Sequence, residues 1–316
     1  MPGKVRAAST FRTTDIPDQS GKVILVTGAN NGLGLQAATA LARAGARVLL
    51  ACRNQETGKR ALELVTAVNA DADHTLIQLD LGDLSSVRAA AEQARSAAPA
   101  IDVLINNAGL MAVPFGRTAD GFEMQIGINH LGHFAFTDAV LPALLKAPTP
   151  RVITLSSIGH KRGRIVLDDL NFDGRRYVPL VAYYQSKLAN VLFSSELARR
   201  SEKSGATIVS VGVHPGLAAT TLVESIAPPI PGMVALMRLG TRMIANSEEQ
   251  GALSQLYAAT MPDVENGDYL GPNGIGDIRG PVGHSARSSA ACDENLAVQL
   301  WERSIELTGA QFSELN

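Results

Sequence analysis

Tyr183 and Lys187 stand four residues apart, and on a helix that spacing places both side chains on one face. A free phenol titrates at about 10 and exchanges protons poorly at neutral pH. An ammonium beside it favours the phenolate and lowers that value. The pair is therefore a tunable proton donor to a carbonyl oxygen, or an acceptor from a hydroxyl. Tyr184 has Leu188 at the same offset, which leaves Tyr183 as the candidate in this doublet. Upstream, the apolar run Arg151–Leu155 ends in Ser156 and Ser157. A serine hydroxyl there can hold a substrate oxygen near the phenol, or it can cap its own backbone.

A second group of residues suits phosphate binding. The run Lys22–Thr27 leads into Thr27-Gly28-Ala29-Asn30-Asn31-Gly32-Leu33-Gly34, and a helical pattern follows. Glycines let a backbone turn sharply and approach a phosphate closely. The helix N-terminus adds free N–H groups and a dipole favourable to an anion. The spacing G-x-x-x-G-x-G is a variant of the dinucleotide fingerprint G-x-G-x-x-G. The second apolar run ends at Ala51 and is followed by Cys52 and Arg53. An NAD site usually carries Asp or Glu there for the ribose 2′-OH. Arg53 instead offers a guanidinium fork to a 2′-phosphate, so the expected cofactor is NADP(H). The ordinary alternative is an exposed loop arginine, with Glu56 nearby supplying the acid. Asp80 and Leu81 follow the third run, and Asn106-Asn107-Ala108-Gly109 the fourth. These are carboxyl ends of strands, where open α/β sheets bind ligands. Asp80 is placed to accept from an adenine amino group, or to cap the helix near Leu84.

The elements that must position these groups alternate regularly. Strands are expected at 22–27, 47–51, 74–79, 102–105, 151–155 and 207–213. Helices are expected at 32–44, 56–69, 84–97, within 121–145, and at 182–200 and 295–307. Strands apolar on both faces, alternating with helices, indicate a parallel sheet covered on both sides. The expected fold class is a doubly wound α/β (Rossmann) domain. Residues 1–20 form a polar lead-in and 21–316 a single domain, with 217–245 as a substrate lid rich in Pro and Met, and coil at 271–291.

Composition narrows the function classes. The chain has 316 residues, 46% hydrophobic and 18% charged, which permits a large core and excludes wholesale disorder. A net charge of −2 gives no sign of nucleic-acid binding. Two distant cysteines, Cys52 and Cys292, argue against a disulfide framework and for a reducing, cytoplasmic setting. No signal-like segment or membrane-length apolar run appears, so stable membrane insertion is not expected. Cys52 suits a small buried side chain. His130 and His133 lie three apart without a carboxylate partner, which suits helix packing better than a metal site. The cluster from His160 to Arg164 suits a solvated loop.

Taken together, the T-G-x-x-x-G-x-G turn at 27–34, N-N-A-G at 106–109, Asn129, the serines 156–157 and Y-x-x-x-K at 183–187 resemble the short-chain dehydrogenase/reductase superfamily. His214-Pro215-Gly216 with Thr220 resembles the family's segment that holds the nicotinamide. The resemblance implies seven mostly parallel strands and a Ser/Tyr/Lys mechanism with an assisting Asn. Tyr183 would be the general acid/base, and Lys187 would bind the nicotinamide ribose and lower the Tyr183 pKa. Ser157, the second of its pair, would orient the substrate oxygen, and Asn129 would anchor a proton-relay water. Ser157 and Tyr183 are 26 residues apart, longer than the family's main branch, which marks 158–180 as an insert. With C-R-N at 52–54, N-H-L-G-H-F at 129–134 and L-W-E-R-S at 300–304, the chain resembles the branch of retinol dehydrogenases, WW-domain oxidoreductases and protochlorophyllide reductases. That branch uses mostly NADP(H), in agreement with Arg53. The apolar anchor of many retinol dehydrogenases is not seen here, which points toward a soluble relative and away from a retinoid.

The expected activity is therefore NADP(H)-dependent interconversion of a lipophilic alcohol and its carbonyl. A protein that binds NADP as a sensor or scaffold, without turnover, is the rival from another class. It would need the glycine turn but not Asn129, Ser157, Tyr183 and Lys187 together. A sugar-nucleotide epimerase would prefer a different glycine spacing from 28, 32 and 34. The largely apolar helix from Ala182 leaves two possibilities open: a partner helix in a homodimer or homotetramer, or burial under the insert or the tail.

Overall fold

The structure, a computed structural model, describes residues 10–216 and 247–315. The expected lid at 217–245 and Thr220 lie outside the described residues. Eight strands form one sheet: β1 (Val23–Thr27), β2 (Arg47–Cys52), β3 (Thr75–Gln78), β4 (Val103–Asn106), β5 (Arg151–Leu155), β6 (Val209–Val213), β7 (Tyr269–Pro272) and β8 (Val282–His284). Their order is β3-β2-β1-β4-β5-β6-β7-β8. The expected count of seven is corrected to eight. All neighbours run parallel except β8, which pairs antiparallel with β7 through Gly271 opposite Gly283. The stretch 271–291 is thus not simply coil: it holds the end of β7, all of β8 and two short 3-10 turns. Gly and Ser dominate there and hid the short edge strand.

Among the described residues, the helices longer than one turn are α1 (Gly32–Arg43), α2 (Gln55–Val68), α3 (Leu84–Ala97), α4 (Gly132–Leu144), α5 (Pro179–Ser204), α6 (Glu248–Thr260) and α7 (Glu294–Thr308). Strand side chains alternate between two cores, as the pleat requires. Leu25 and Leu49 pack with Val87, Phe134, Val140 and Phe193, from α3, α4 and α5. Ile24, Val26, Val48 and Leu50 pack with Leu41, Val65 and Leu256, from α1, α2 and α6. Cys52 is buried in this second core, as expected. The lead-in joins it too: Phe11 is buried and meets Tyr257 edge-on at 5.2 Å between ring centroids.

One expected helix is broken. Within 121–145 a single turn (Met124–Ile126) runs into a π-helical segment, Gly127–Leu131, before α4 begins. The extra residue in that turn widens the backbone around Asn129, a distortion that apolar periodicity does not reveal. Helix α5 is buried along most of its length. Its outer face is covered by its own chain: Trp301 of α7 stacks on Phe193 at 5.8 Å and meets Phe312 of the tail at 4.5 Å. The C-terminal segment therefore occupies the face for which a partner helix was the alternative.

Candidate active site

Strand order reverses between β1 and β4, and a cavity of about 410 Å³ opens at their carboxyl ends. Gly28, Asn30, Asn31, Gly32, Leu33 and Gly34 form one wall. Gly28 and Gly32 have φ of +65° and +50°, a left-handed conformation that favours glycine. A Cβ on Gly34 would run into the Gly28 carbonyl oxygen and Asn107 Nδ2. The turn therefore leaves an open cradle where any larger residue would intrude. At the N-terminus of α1, Asn31 makes no side-chain cap, so the first-turn N–H groups remain open to an anion.

Thr27 does not face the cavity. Its hydroxyl accepts from the backbone N–H of Asn107 and of Ala108, both at 3.0 Å, and so fixes the N-N-A-G turn to β1. Asn107 Nδ2 donates back to the Thr27 carbonyl at 2.8 Å. His133 lies behind them, wholly buried. Its Nδ1 meets the Asn129 carbonyl at 3.0 Å, which can only accept, so Nδ1 carries the proton. Nε2 then accepts from the Thr27 hydroxyl at 2.9 Å. Burial pulls this imidazole down to about 3, consistent with the neutral ring that the partners require. The two histidines are helix-packing residues, as expected: His130 Nε2 meets Ser304 Oγ at 2.9 Å. No group of three or more metal-ligating side chains occurs among the described residues.

Arg53 and Asp80 both line the far end of the cavity. Glu56 does not supply an acid to this corner, because it pairs with Arg60 at 2.6 Å. No carboxylate is paired with Arg53 among the described ion pairs, and Gln78 Nε2 holds its carbonyl at 2.7 Å. Asp80 is not the helix cap. Asp83 caps α3, accepting from Ser85 N, while Asp80 Oδ1 turns back to Gly82 N at 2.9 Å. Leu81, Ala108 and Gly109 line the cavity with them, and so do Leu110, Met111 and Ile128, which no spacing rule singled out.

Tyr183, Lys187 and Pro215 close the remaining side. Pro179 starts α5 at its first position, where proline fits, and Tyr183 follows just over one turn later. Ser157 lies near enough to the Tyr183 phenol to pull its pKa down. Ser156, by contrast, turns its hydroxyl to the Lys187 carbonyl at 2.7 Å. Ser156 lines the cavity and Ser157 does not, while Ser157 lies beside the Tyr183 phenol and its hydroxyl accepts from Gly159 N at 3.1 Å as a local cap. Lys187 Nζ donates to the Leu155 carbonyl at 3.2 Å and lies 5.8 Å from the Tyr183 ring centre.

Electrostatics differ from the expectation drawn from spacing. Burial pushes the Tyr183 phenol above its ordinary value and outweighs the downward pull of Ser157. The same burial brings the Lys187 ammonium down to about 8. Desolvation, rather than the lysine charge, dominates this pair.

Asn129 sits in the π segment and is fully buried. Its amide clamps Leu110, accepting from N at 2.7 Å and donating to O at 2.9 Å, and it donates to Ser186 Oγ at 2.9 Å. The side chain thus anchors the turn after Gly109 to Ser186 of α5. Gly216 has φ of +72° and donates to His214 Nδ1 at 3.2 Å. The cluster at 160–164 is not all solvated: His160 is fully buried, while Lys161, Arg162 and Arg164 are exposed.

A doubly wound sheet with this glycine turn and a Ser/Tyr/Lys group at the strand ends defines a nucleotide-dependent oxidoreductase scaffold. The model of the short chain dehydrogenase family matches residues 22–230, and the chain belongs to that family. Human retinol dehydrogenase 11 is 39% identical over 290 residues, covering 92% of this chain and 86% of the relative. Human retinol dehydrogenase 13 is 38% identical over 298 residues, covering 92% and 86%. The relatives place the chain in the retinol dehydrogenase branch. Among solved structures, an uncharacterized protein from Mycobacterium paratuberculosis superposes with a TM-score of 0.80 at 40% identity, covering 96% of this chain and 99% of that one. A short chain dehydrogenase from Shigella flexneri complexed with NADP gives 0.62 at 21% identity, covering 81% and 98%, and shares the fold. No described helix is long and apolar enough to cross a membrane.

Proposed function

We propose that the protein is an NADP(H)-dependent oxidoreductase that interconverts a lipophilic alcohol and its carbonyl, with Tyr183 as the general acid/base. The observation that carries this reading is that Tyr183 and Lys187 share one cavity with the glycine cradle, with Ser157 beside the phenol. When bound, the cofactor supplies or takes the hydride. The protein's residues bind, orient and move the proton. The cradle and the start of α1 suit a pyrophosphate, and Arg53 suits a 2′-phosphate. Ser157 holds the substrate oxygen beside the phenol. Burial keeps the Tyr183 proton in place at neutral pH, so Tyr183 stands ready as the donor to a carbonyl oxygen.

The lipophilic substrate class rests on Leu110, Met111 and Ile128 in the cavity wall and on the retinol dehydrogenases as relatives. The test is NADPH consumption with straight-chain aldehydes, ketosteroids, quinones and retinal, with Tyr183→Phe in parallel. A carbonyl reduced by the wild type and not by the variant, with NADPH binding retained, is the expected result. Turnover by Tyr183→Phe at the wild-type rate would remove the proton role. NADPH binding with no turnover of any carbonyl would favour the sensor reading.

A further inference from the structure

Ser157 is held from behind by groups that the reaction itself does not use. His160 lies one 3-10 turn beyond it, at the start of the insert, and is fully buried. Ser288 N, which can only donate, meets His160 Nε2 at 3.3 Å. Nε2 is therefore the acceptor, and Nδ1 of the neutral ring carries the proton. That proton points to the Ser157 carbonyl at 2.8 Å, with Tyr269 Oη also within 3.2 Å of Nδ1. The Tyr269 ring packs edge-on against the imidazole, centroids 5.2 Å apart. The Tyr269 oxygen thus accepts from His160 and braces the ring from the β7 side. The Ser156 hydroxyl donates to the Lys187 carbonyl at 2.7 Å.

His160 thus stands between three partners, Ser288 N on one ring nitrogen and the Ser157 carbonyl and Tyr269 Oη on the other, while the neighbouring Ser156 ties the same turn to the Lys187 carbonyl. Tyr269 and Ser156 are buried as well, so water cannot replace a missing link. The contacts join three parts of the fold far apart in sequence: the serine pair with the start of the insert, β7 and the segment preceding α7. A nearby ion pair, Lys161 with Asp277 at 2.6 Å, ties the insert to the same C-terminal region.

We infer that His160 and Tyr269 are positioning residues for the reaction: Tyr269 and Ser288 hold the His160 ring and the ring fixes the Ser157 backbone, so that the C-terminal segment sets the geometry of the catalytic serine. This rests on the role proposed for Ser157.

The two ring nitrogens can be tested separately. In His160→Asn the amide nitrogen reproduces the Nδ1 donor to Ser157 but leaves Ser288 N without an acceptor. In His160→Gln the amide oxygen reproduces Nε2 and the Ser157 carbonyl loses its donor. Full-length variants are assayed for kcat and KM with NADPH and the best carbonyl of the panel above, for NADPH affinity by fluorescence, and for thermal midpoint. Losing one buried hydrogen bond that aligns a reacting group lowers kcat about tenfold. His160→Gln and Tyr269→Phe are expected to show that loss, with NADPH affinity unchanged. His160→Asn is expected to keep kcat within about threefold of wild type while melting lower, since a buried N–H is left unpaired. A kcat that tracks the thermal midpoint across the three variants, or a fully active His160→Gln beside an inactive Ser157→Ala, would overturn the inference alone. Ser157→Ala at the wild-type kcat would overturn the reading of Ser157 and this inference with it.

Discussion

Replacing Arg53 by Ala tests the cofactor assignment at one side chain. Arg53 is exposed at the end of β2 and lines the cavity, and the nearest acid in sequence, Glu56, is already paired with Arg60. A 2′-phosphate carries a charge of about −1.5 to −2 at neutral pH. A unit pair 4 Å apart is worth about 1 kcal/mol in water and about 4 kcal/mol at the effective dielectric of a protein surface. Charge-assisted hydrogen bonds measured by mutation fall between these, at about 1.5–3 kcal/mol. Because Arg53 is solvent-exposed, the expected loss is near the middle, about 2 kcal/mol, or roughly thirtyfold in the Kd for NADPH. NADH lacks the phosphate and should bind the variant and the wild type alike, within about twofold. Salt gives an independent check. Wild-type affinity for NADPH should weaken as NaCl rises, and the variant should lose part of that slope. Fluorescence titration of both cofactors at low and high NaCl measures all of this. An equal loss for NADPH and NADH, or no loss for NADPH, would refute the phosphate contact.

Further outcomes follow from the buried groups. Gly34→Ala places a methyl against the Gly28 carbonyl and Asn107 Nδ2, so the cradle must open; overpacking of this kind costs about 1–3 kcal/mol, and affinity for NADPH and NADH should fall together. Calorimetry against both cofactors checks it, and unchanged affinity would show that the turn does not hold the cofactor. The imidazoles of His130 and His214 are pulled down to about 4 and that of His133 to about 3, all by burial. The unfolded chain therefore takes up these protons first: the stabilisation is complete above about pH 6.5 and is lost as pH falls toward the folded values. At pH 5.5 each histidine removes about 1.4 kcal/mol, a large share in sum of a typical stability, though Glu123 and Asp138, with carboxyls raised by burial, act in the opposite sense. Urea midpoints for the cofactor-free protein should drop clearly between pH 7.5 and 5.5, and a flat profile would contradict the buried neutral rings.

Legibility in the sequence followed the range of the interaction that determines each feature. The glycine turn, N-N-A-G and Tyr183/Lys187 depend on local spacing, and the fold brings all of them to one cavity without adjustment. The parallel core was equally legible, because strands covered on both sides must be apolar throughout. What escaped was set by partners distant in the chain. His160 stands among basic residues and looks solvated, yet Ser288, 128 positions away, and Tyr269, 109 away, bury it. His133 has a helical neighbourhood and no acid nearby, yet its partner Thr27 is 106 residues away. The eighth strand lies in a Gly- and Ser-rich stretch with no pattern of its own, and only pairing with β7 makes it a strand. Even the tyrosine–lysine pair divides along this line. Spacing correctly puts the two groups on one face, but the sign of the phenol's shift depends on how deeply the surrounding chain buries it. Spacing therefore predicts a lowered phenol, while burial in the enclosed site raises it.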